Sequence, residues 1–281
     1  MSSINTQSKD KKCRNQVTVS VRHAFIPYKG GVILAADYSQ LELRVIAHLS
    51  QDKNLIAILN TNHDVFKEIA SQWLDLRPEQ VSTEQRQQAK QICYGILYGM
   101  GPNSLAEQIS VPENDAAIFI ESFKSKYPGL RKYLLKSVEG CRKNGYVRTI
   151  TGRKRYLPAI KSHQPHDKAQ AERQAINTIV QGSAADIVKT AMKNIDKELM
   201  DVYPDTIYPH SLKIYKGKEK KNLPEGAFLL LQLHDELIYE VSGAEIENVV
   251  KVIKQQMENA MKLSVLLSVK MKMGKSWGSL E

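Results

Sequence analysis

The stretch VILAADYSQLELRVIAHL, from Val32 to Leu49, decides the fold predicted for this chain. Its first five residues are apolar and predict a short buried strand. After Tyr38 the apolar residues recur every four positions, which is the spacing of a helix. Asp37 therefore stands where a buried strand ends and the chain turns into a helix.

An acid at this junction has two interpretations. A carboxylate is costly to bury unless something positive meets it, so Asp37 is a candidate for a functional site. Alternatively, Asp37 begins an N-terminal helix cap, with Ser39 assisting. The segment alone leaves both interpretations open.

A second strand also ends in acids. The stretch FLLLQLHDELIYEV, from Phe228 to Val241, contains an apolar strand, the polar residues His234, Asp235 and Glu236, and a second apolar strand. This pattern predicts a hairpin that carries two acids at its turn.

A third stretch, RQQAKQICYGILYGMG, begins at Arg86. Arg86, Lys90, Tyr94 and Tyr98 follow at intervals of four, and residues four apart are neighbours on a helix. Two cations and then two aromatic rings form a stripe of about 18 Å, at a rise of about 1.5 Å per residue. The stripe suits a triphosphate followed by a flat base, although plain core packing is the alternative for the tyrosines.

The composition favours a soluble globular protein with a polyanionic partner. The 281 residues predict one or two domains with a sizeable core, and no apolar run approaches the length of a membrane span. The net charge of +10 suits nucleic acid, but a merely basic protein has the same charge. Cys13, Cys93 and Cys141 are odd in number and far apart, which predicts no disulfide framework, no zinc site and a reducing compartment.

The three stretches together resemble a known family. DYSQLELR, RQQAKQICYGILYG and LHDE are similar, in this order, to motifs A, B and C of the family A DNA polymerases. RHAFIP, AERQAI, VQGSAADIVK and SWGSLE further resemble theta-like members of that family. The resemblance covers roughly residues 20 to 281. It implies an α+β fold, with an antiparallel palm sheet and helical fingers but without the thumb.

The chain is divided accordingly. Residues 1–16 are predicted to be a disordered basic tail, 17–49 the first part of the palm with motif A, 50–162 the fingers with motif B, and 163–281 the second part of the palm with motif C. An exposed loop is predicted at about 201–226, where theta-like members carry an insertion; it is either a variable surface loop or a DNA-gripping one. The patterns predict helices over 64–73, 84–98, 114–127, 130–144 and 244–262, strands over 16–20 and 265–273, a hairpin over 147–155 with Gly152 in its turn, and a helix over 168–199 interrupted near Gly182 and Ser183.

The resemblance implies a template-directed DNA polymerase that adds deoxynucleotides to a primer 3′-hydroxyl, in DNA repair. Two Mg²⁺ ions would activate the hydroxyl and neutralise charge on the leaving pyrophosphate. Asp37 and Asp235 are the predicted metal-bridging carboxylates, and the backbone carbonyl of Tyr38 adds a ligand. Glu236 is expected to support the catalytic acids or the primer end.

The implied nucleotide site lies on the stripe. Arg86 and Lys90 would bind the triphosphate, and Lys90 would also protonate the pyrophosphate. The remaining predicted roles are Tyr94 under the sugar and base, Glu42 with Tyr98 as the gate against a ribose 2′-hydroxyl, and Gln40 as a further nucleotide contact. The family's bacterial members carry a histidine where this chain has Phe66, so one phosphate contact is missing or replaced.

The implied DNA contacts come from the long helix and the hairpin. Arg173, Asn177 and Gln181 lie four apart on one helix face, which a solvated surface would also explain. By resemblance, Asn177 and Gln181 touch the primer–template minor groove, whose acceptors are common to all base pairs. His234 is either a satisfied buried histidine or, by resemblance, a primer contact.

The predicted partners are primer–template DNA, deoxynucleoside triphosphates, and the missing thumb and N-terminal regions of a longer polymerase. No membrane partner is expected, and the predicted location is nuclear. The alternative is a catalytically inactive or fragmentary DNA-binding remnant, because the loss of the thumb removes grip on the duplex.

Overall fold

A computed structural model describes residues 20–61, 63–204 and 226–280. The predicted tail, Cys13, the predicted strand over 16–20 apart from Ser20, and most of the predicted loop over 201–226 lie outside the described residues. No helix in the described ranges is long and apolar enough to cross a bilayer.

The described chain is an α+β structure, as predicted. Its helices are α1 (Leu41–Ser50), α2 (Lys53–Leu59), α3 (Val65–Leu74), α4 (Thr83–Leu97), α5 (Pro102–Ile109), α6 (Glu113–Lys126), α7 (Pro128–Asn144), α8 (Pro165–Val202) and α9 (Ile246–Glu258). Its strands are β1 (Gly31–Tyr38), β2 (Tyr146–Arg148), β3 (Lys154–Tyr156), β4 (Ala227–Leu233), β5 (Glu236–Ser242) and β6 (Val269–Gly274). Helices α2 and α5 were not predicted.

The main sheet has the strand order β4-β5-β1-β6, and each neighbouring pair is antiparallel. The stretch that decides the fold therefore supplies the strand β1, which is paired on both sides. Asp37 lies opposite Glu236 on β5 and opposite Lys270 on β6. The strands β2 and β3 form a separate hairpin, with Gly152 at a φ of 88° in its turn as predicted.

The two faces of the main sheet differ. Because successive side chains in a strand point to opposite faces, Leu34 and Ala36 share one face. They belong to a buried cluster to which α8 and α9 also contribute. Ile33 and Ala35 lie on the other face, in a small cluster against which Trp277 packs. Asp37 follows the alternation of this second, less covered face.

A second core joins the helices α1 to α7. Phe66, Ile69 and Ile92 lie at its centre, each 3% exposed or less. The carboxylate of Asp52 caps the N-terminal ends of two of these helices, α2 and α7. Its Oδ1 accepts from the backbone of α2 at Asn54 and Leu55, and its Oδ2 accepts from the start of α7, from Gly129 at 2.8 Å and Leu130 at 3.2 Å.

The predicted interruption near Gly182 and Ser183 is wrong, because α8 is continuous through both residues. A Cβ on Gly182 would come within 2.6 Å of the Thr149 side chain, so glycine here lets the β2–β3 hairpin pack onto the helix. The Ser183 hydroxyl donates to the Ile179 carbonyl four residues earlier and accepts from the Ile150 backbone at 2.8 Å. Tertiary contacts thus outweigh the low helix propensity of this pair.

The last predicted helix and strand are shorter than expected. α9 ends at Glu258, and β6 begins only at Val269. The intervening backbone pairs with side chains instead of continuing a strand: Ser264 donates to His48 Nδ1 at 3.0 Å, and Leu266 donates to Asn60 at 2.9 Å. The hydrophobic periodicity of the segment could not predict these hydrogen bonds, because their partners are distant in the sequence.

Candidate active site

The two predicted metal-binding acids come from neighbouring strands. Asp37 lies near the end of β1, and Asp235 lies in the short turn between β4 and β5. The Tyr38 amide donates to the Asp235 carbonyl at 3.4 Å, which ties the two segments together. Both acids line one cavity of about 780 Å³. The predicted hairpin is confirmed. Its turn does not carry both acids as predicted, because Glu236 is the first residue of β5.

Two strained residues flank the acids. Gln40 and His234 have φ values of 51° and 54°, a left-handed conformation that is uncommon outside glycine. The other described non-glycine residues with positive φ each end a helix: Gln51, Asp75 and Ser110. Because strain of this kind clusters at functional sites, it marks the cavity independently of its charges.

The alternative that Asp37 begins a helix cap is wrong. The N-cap of α1 is Gln40, and no side chain caps this end of the helix. The Ser39 hydroxyl, which had been expected to assist the cap, is buried without a partner. Asp37 therefore does not cap the helix, and it lines the cavity instead.

Burial raises the pKa values of both acids, and neighbouring carboxylates raise that of Asp37 further. The pKa of Asp37 rises to about 6, first because of burial and then because of the charges of Asp235 and Glu236; Lys270 opposes the shift. Burial also raises the pKa of Asp235, against a hydrogen bond from its own backbone and the nearby His234. The repulsion between these carboxylates is what a bound cation would relieve.

Most of the predicted stripe forms one wall of the cavity. Lys90, Tyr94 and Tyr98 line it, together with Phe66. The two tyrosine rings are stacked, with centroids 6.1 Å apart, and the Phe66 ring lies 5.9 Å from that of Tyr94. Arg86 is absent from this lining. Its guanidinium instead pairs with Asp64, with Nη2 2.9 Å from Oδ2.

The two residues predicted to form the sugar gate are in contact. The Tyr98 hydroxyl donates to Glu42 Oε2, and both residues line the cavity. Burial and the Glu42 carboxylate raise the pKa of Tyr98, and a hydrogen bond from Gln181 opposes the rise. Gln181 therefore joins this group from α8.

The predicted DNA contacts are only partly gathered. Gln181 and His234 line the cavity, whereas Arg173 and Asn177 do not. Arg173 is exposed and packs its aliphatic stem on Gly99, where a Cβ would lie 2.9 Å from Arg173 Cγ. Asn177 Oδ1 is buried and has no hydrogen-bond partner in the described chain.

Sequence reasoning missed Arg44, which supports the site from behind. It is 3% exposed and donates to three carbonyls: Ser39 at 2.7 Å, Leu59 at 2.9 Å and Leu266 at 2.6 Å. These bonds fix the turn between β1 and α1. An arginine within the apolar stripe of α1 was the only available signal, and it does not identify carbonyl partners.

The donor chemistry of the site fits a hard divalent cation. No group of three or more histidine, cysteine or acidic side chains that could hold a metal occurs in the described ranges. Magnesium, however, is commonly bound through one or two carboxylates, with water and substrate oxygens completing its shell. Asp37 and Asp235 supply that number of carboxylates.

Comparison with known proteins identifies the family. A sequence profile of DNA polymerase family A matches residues 1–279. The chain is 52% identical to DNA polymerase theta of Mus musculus over 98% of its own length, and 37% identical to the thermostable DNA polymerase I of Thermus thermophilus over 92%.

The likeness extends to solved structures. The POL domain of Pol1 from M. smegmatis, in complex with DNA primer-template and dNTP, has a TM-score of 0.81 and 35% identity, covering 92% of this chain and 42% of that one. The chain spans 11% of the mouse protein and 28% of the Thermus protein. This chain belongs to DNA polymerase family A.

Proposed function

We propose that this chain is the catalytic core of a template-directed DNA polymerase that adds deoxynucleotides to a primer 3′-hydroxyl in DNA repair. The observation that carries the proposal is that Asp37 and Asp235 share one cavity with Lys90, Tyr94 and Tyr98. Acids on one wall and a cation followed by stacked rings on the other suit a triphosphate whose base and sugar lie on the rings.

The acids would hold two magnesium ions. Asp37 and Asp235 offer carboxylate oxygens, and the Tyr38 backbone carbonyl is the proposed additional ligand. When bound, the metal would favour ionisation of the primer hydroxyl and neutralise charge on the departing pyrophosphate. The raised pKa of Asp37 supports this role, because burial and then the charges of Asp235 and Glu236 disfavour its ionised form, and a bound cation would offset those charges. Glu236, opposite Asp37, adds to that charge.

The α4 wall would bind the nucleotide. Lys90 reaches the cavity and makes no ion pair with any described residue, so its ammonium is available to phosphate oxygens and to the leaving pyrophosphate. Tyr94 would lie beneath the sugar and base, with Gln40 a further contact. The Glu42–Tyr98 pair occupies the space where a ribose 2′-hydroxyl would enter.

The primer–template would lie along α8. Gln181 and His234 line the cavity and are the proposed contacts nearest the primer end. Asn177 and Arg173 continue the same helix face, and the Asn177 amide nitrogen is the group that could donate to minor-groove acceptors. The net charge of +10 favours such a polyanion. We place this activity in the nucleus, within a longer polymerase.

Primer extension with Mg²⁺ tests the proposal, on this chain and on a longer polymerase chain that contains it. Asp37→Asn and Asp235→Asn preserve polar size but each removes one charge from the metal-binding pair. We expect both variants to lose nucleotide addition while they retain folding and DNA binding. Measurable extension by either variant at ordinary Mg²⁺ would refute the assignment of the acids. DNA binding without extension, in both chains, would favour the inactive remnant.

A further inference from the structure

Arg86 and Lys90 stand one turn apart on α4 but differ in their surroundings. Lys90 lines the cavity, and no described acid pairs with it. Arg86 is held by Asp64: Nε lies 3.0 Å from Oδ1 and 2.9 Å from Oδ2, and Nη2 lies 2.9 Å from Oδ2. One of the two cations predicted for the triphosphate thus already has an anionic partner.

The first turn of α3 supplies that partner. Asp64 is the N-cap of α3, where its Oδ1 also accepts from the Lys67 backbone at 2.9 Å. Two residues later, the buried ring of Phe66 lies 5.8 Å from Arg86 Cζ and 5.9 Å from Lys90 Nζ. The start of α3 therefore contacts both cations. Asp64 forms an ion pair with Arg86, and the Phe66 ring lies near both Arg86 and Lys90.

The pairing is firm but remains reachable from solvent. Burial raises the pKa of Asp64, but hydrogen bonds from Arg86 and from the Lys67 backbone outweigh it and keep the pKa below its ordinary value. The side chains of Arg86 and Asp64 are 36% and 40% exposed. An incoming phosphate can thus approach the remaining guanidinium donors, but it meets a pair whose net charge is close to zero.

From these contacts we infer that Asp64 is a positioning residue that weakens the grip of Arg86 on triphosphate and pyrophosphate. This inference rests on the proposed function of the α4 wall. Asp64 holds the guanidinium in one orientation and offsets its charge, so that Lys90 is the main cation that attracts the nucleotide. The carboxylate also repels phosphate oxygens, which favours release of the pyrophosphate product.

Asp64→Asn separates the charge of Asp64 from its shape. Asparagine caps a helix as well as aspartate and keeps an oxygen for Arg86, so α3 should remain intact. The matched control is Asp75→Asn at the other end of α3. Asp75 is exposed and left-handed, a conformation that asparagine tolerates, and this variant makes the same change in net charge.

The measurement is calorimetric binding of inorganic tripolyphosphate and pyrophosphate to the full chain at low ionic strength, with thermal unfolding as a check on folding. We expect Asp64→Asn to bind both anions roughly three- to fivefold more tightly, as the energy of a half-exposed ion pair suggests. The gain should shrink with added salt. Asp75→Asn should bind like the wild type.

Two further variants separate the two claims. If Arg86→Ala and Lys90→Ala weaken tripolyphosphate binding but Asp64→Asn leaves it unchanged or weaker, the inference about Asp64 is wrong and the phosphate site stands. If neither alanine variant affects binding, α4 is not the phosphate site, and the proposed nucleotide wall fails together with the inference.

Discussion

The Tyr98 hydroxyl donates a hydrogen bond to the Glu42 carboxylate across the cavity, joining α1 to the end of α4. The bond orients the carboxylate and fills the space beside the stacked tyrosine rings. Gln181 reaches the same hydroxyl from α8. Three separate helices therefore set the width of the cavity at this point.

Replacing Glu42 tests whether this width selects the sugar. Glu42→Ala removes the carboxylate and should admit ribonucleotides, because a 2′-hydroxyl no longer collides there. Glu42→Gln keeps the volume and should preserve the selection. The measurement is the ratio of ribonucleotide to deoxynucleotide incorporation in an extending polymerase chain. An unchanged ratio in Glu42→Ala would assign the selection to other residues.

The raised pKa of Asp37 predicts a pH-dependent stability. As the pH falls below about 4, the carboxyl becomes protonated in both the folded and unfolded states, and its contribution disappears. As the pH rises to about 6, the unfolded state ionises first, so Asp37 lowers the free energy of unfolding and continues to do so above that pH. Asp37→Asn should therefore be more stable than the wild type at pH 7, by about 1 kcal/mol after solvent screening, and equal to it near pH 3.5.

Denaturant unfolding of both proteins across this pH range, without divalent cations, provides the measurement. A stability difference that does not change with pH would contradict the electrostatic origin of the effect. Adding Mg²⁺ at pH 7 should stabilise the wild type and not Asp37→Asn, because only the wild type keeps both carboxylates.

The Tyr94 hydroxyl should determine the response to chain terminators. Burial raises the pKa of Tyr94 to about 12, so its hydroxyl stays protonated. It can then donate a hydrogen bond at the edge of the sugar, where a dideoxynucleotide lacks the 3′-hydroxyl. We expect dideoxynucleotides to be accepted nearly as well as normal ones, and Tyr94→Phe to discriminate against them at least several-fold. A hydrogen bond of this kind is worth about 0.5–1.5 kcal/mol net, and more in a dry site.

Competition between a dideoxynucleotide and its normal counterpart measures the effect of Tyr94→Phe. Equal selectivity in the wild type and the variant would mean that the ring only packs against Tyr98 and Phe66. The nucleotide would then lie elsewhere on α4.

Asp52 should be unusually important for stability, because its buried carboxylate accepts from the first turns of both α2 and α7. Asp52→Ala leaves these amides unpaired and should lower the free energy of unfolding by about 2–4 kcal/mol. Ser82→Ala, at the exposed N-cap of α4, is the matched control and should cost about 1 kcal/mol. Similar losses in the two variants would show that Asp52 caps only one helix effectively.

Local pattern was sufficient to find the acids of the site. A buried run that ends in Asp37 and a hairpin that turns at Asp235 are both visible in the sequence, and antiparallel pairing of β1 with β5 brings them to one cavity. The helical spacing of Lys90, Tyr94 and Tyr98 likewise follows from period alone. These features were predictable because each depends on residues close in sequence.

Contacts between distant residues were not predictable. Asp64 precedes Arg86 by 22 positions, and nothing in either helix pattern pairs them. The carbonyl partners of Arg44 lie in three separate segments. The contact between Gly182 and Thr149 reverses the local preference for a helix break. Such relationships depend on the packed tertiary structure, which propensity and period do not describe.

The continuity of α8 has a consequence for how the molecule unfolds. Its 38 residues extend for about 57 Å, and one rod supplies side chains to three buried clusters. Ile176 belongs to the helical core, Ala175 to the cluster beneath the β2–β3 hairpin, and Ile187 to the cluster under the main sheet. Local unfolding of the middle of α8 would expose all three clusters together. The backbone amide hydrogens in the middle of α8 should therefore exchange with solvent only through global unfolding. The three clusters should lose structure in a single cooperative transition.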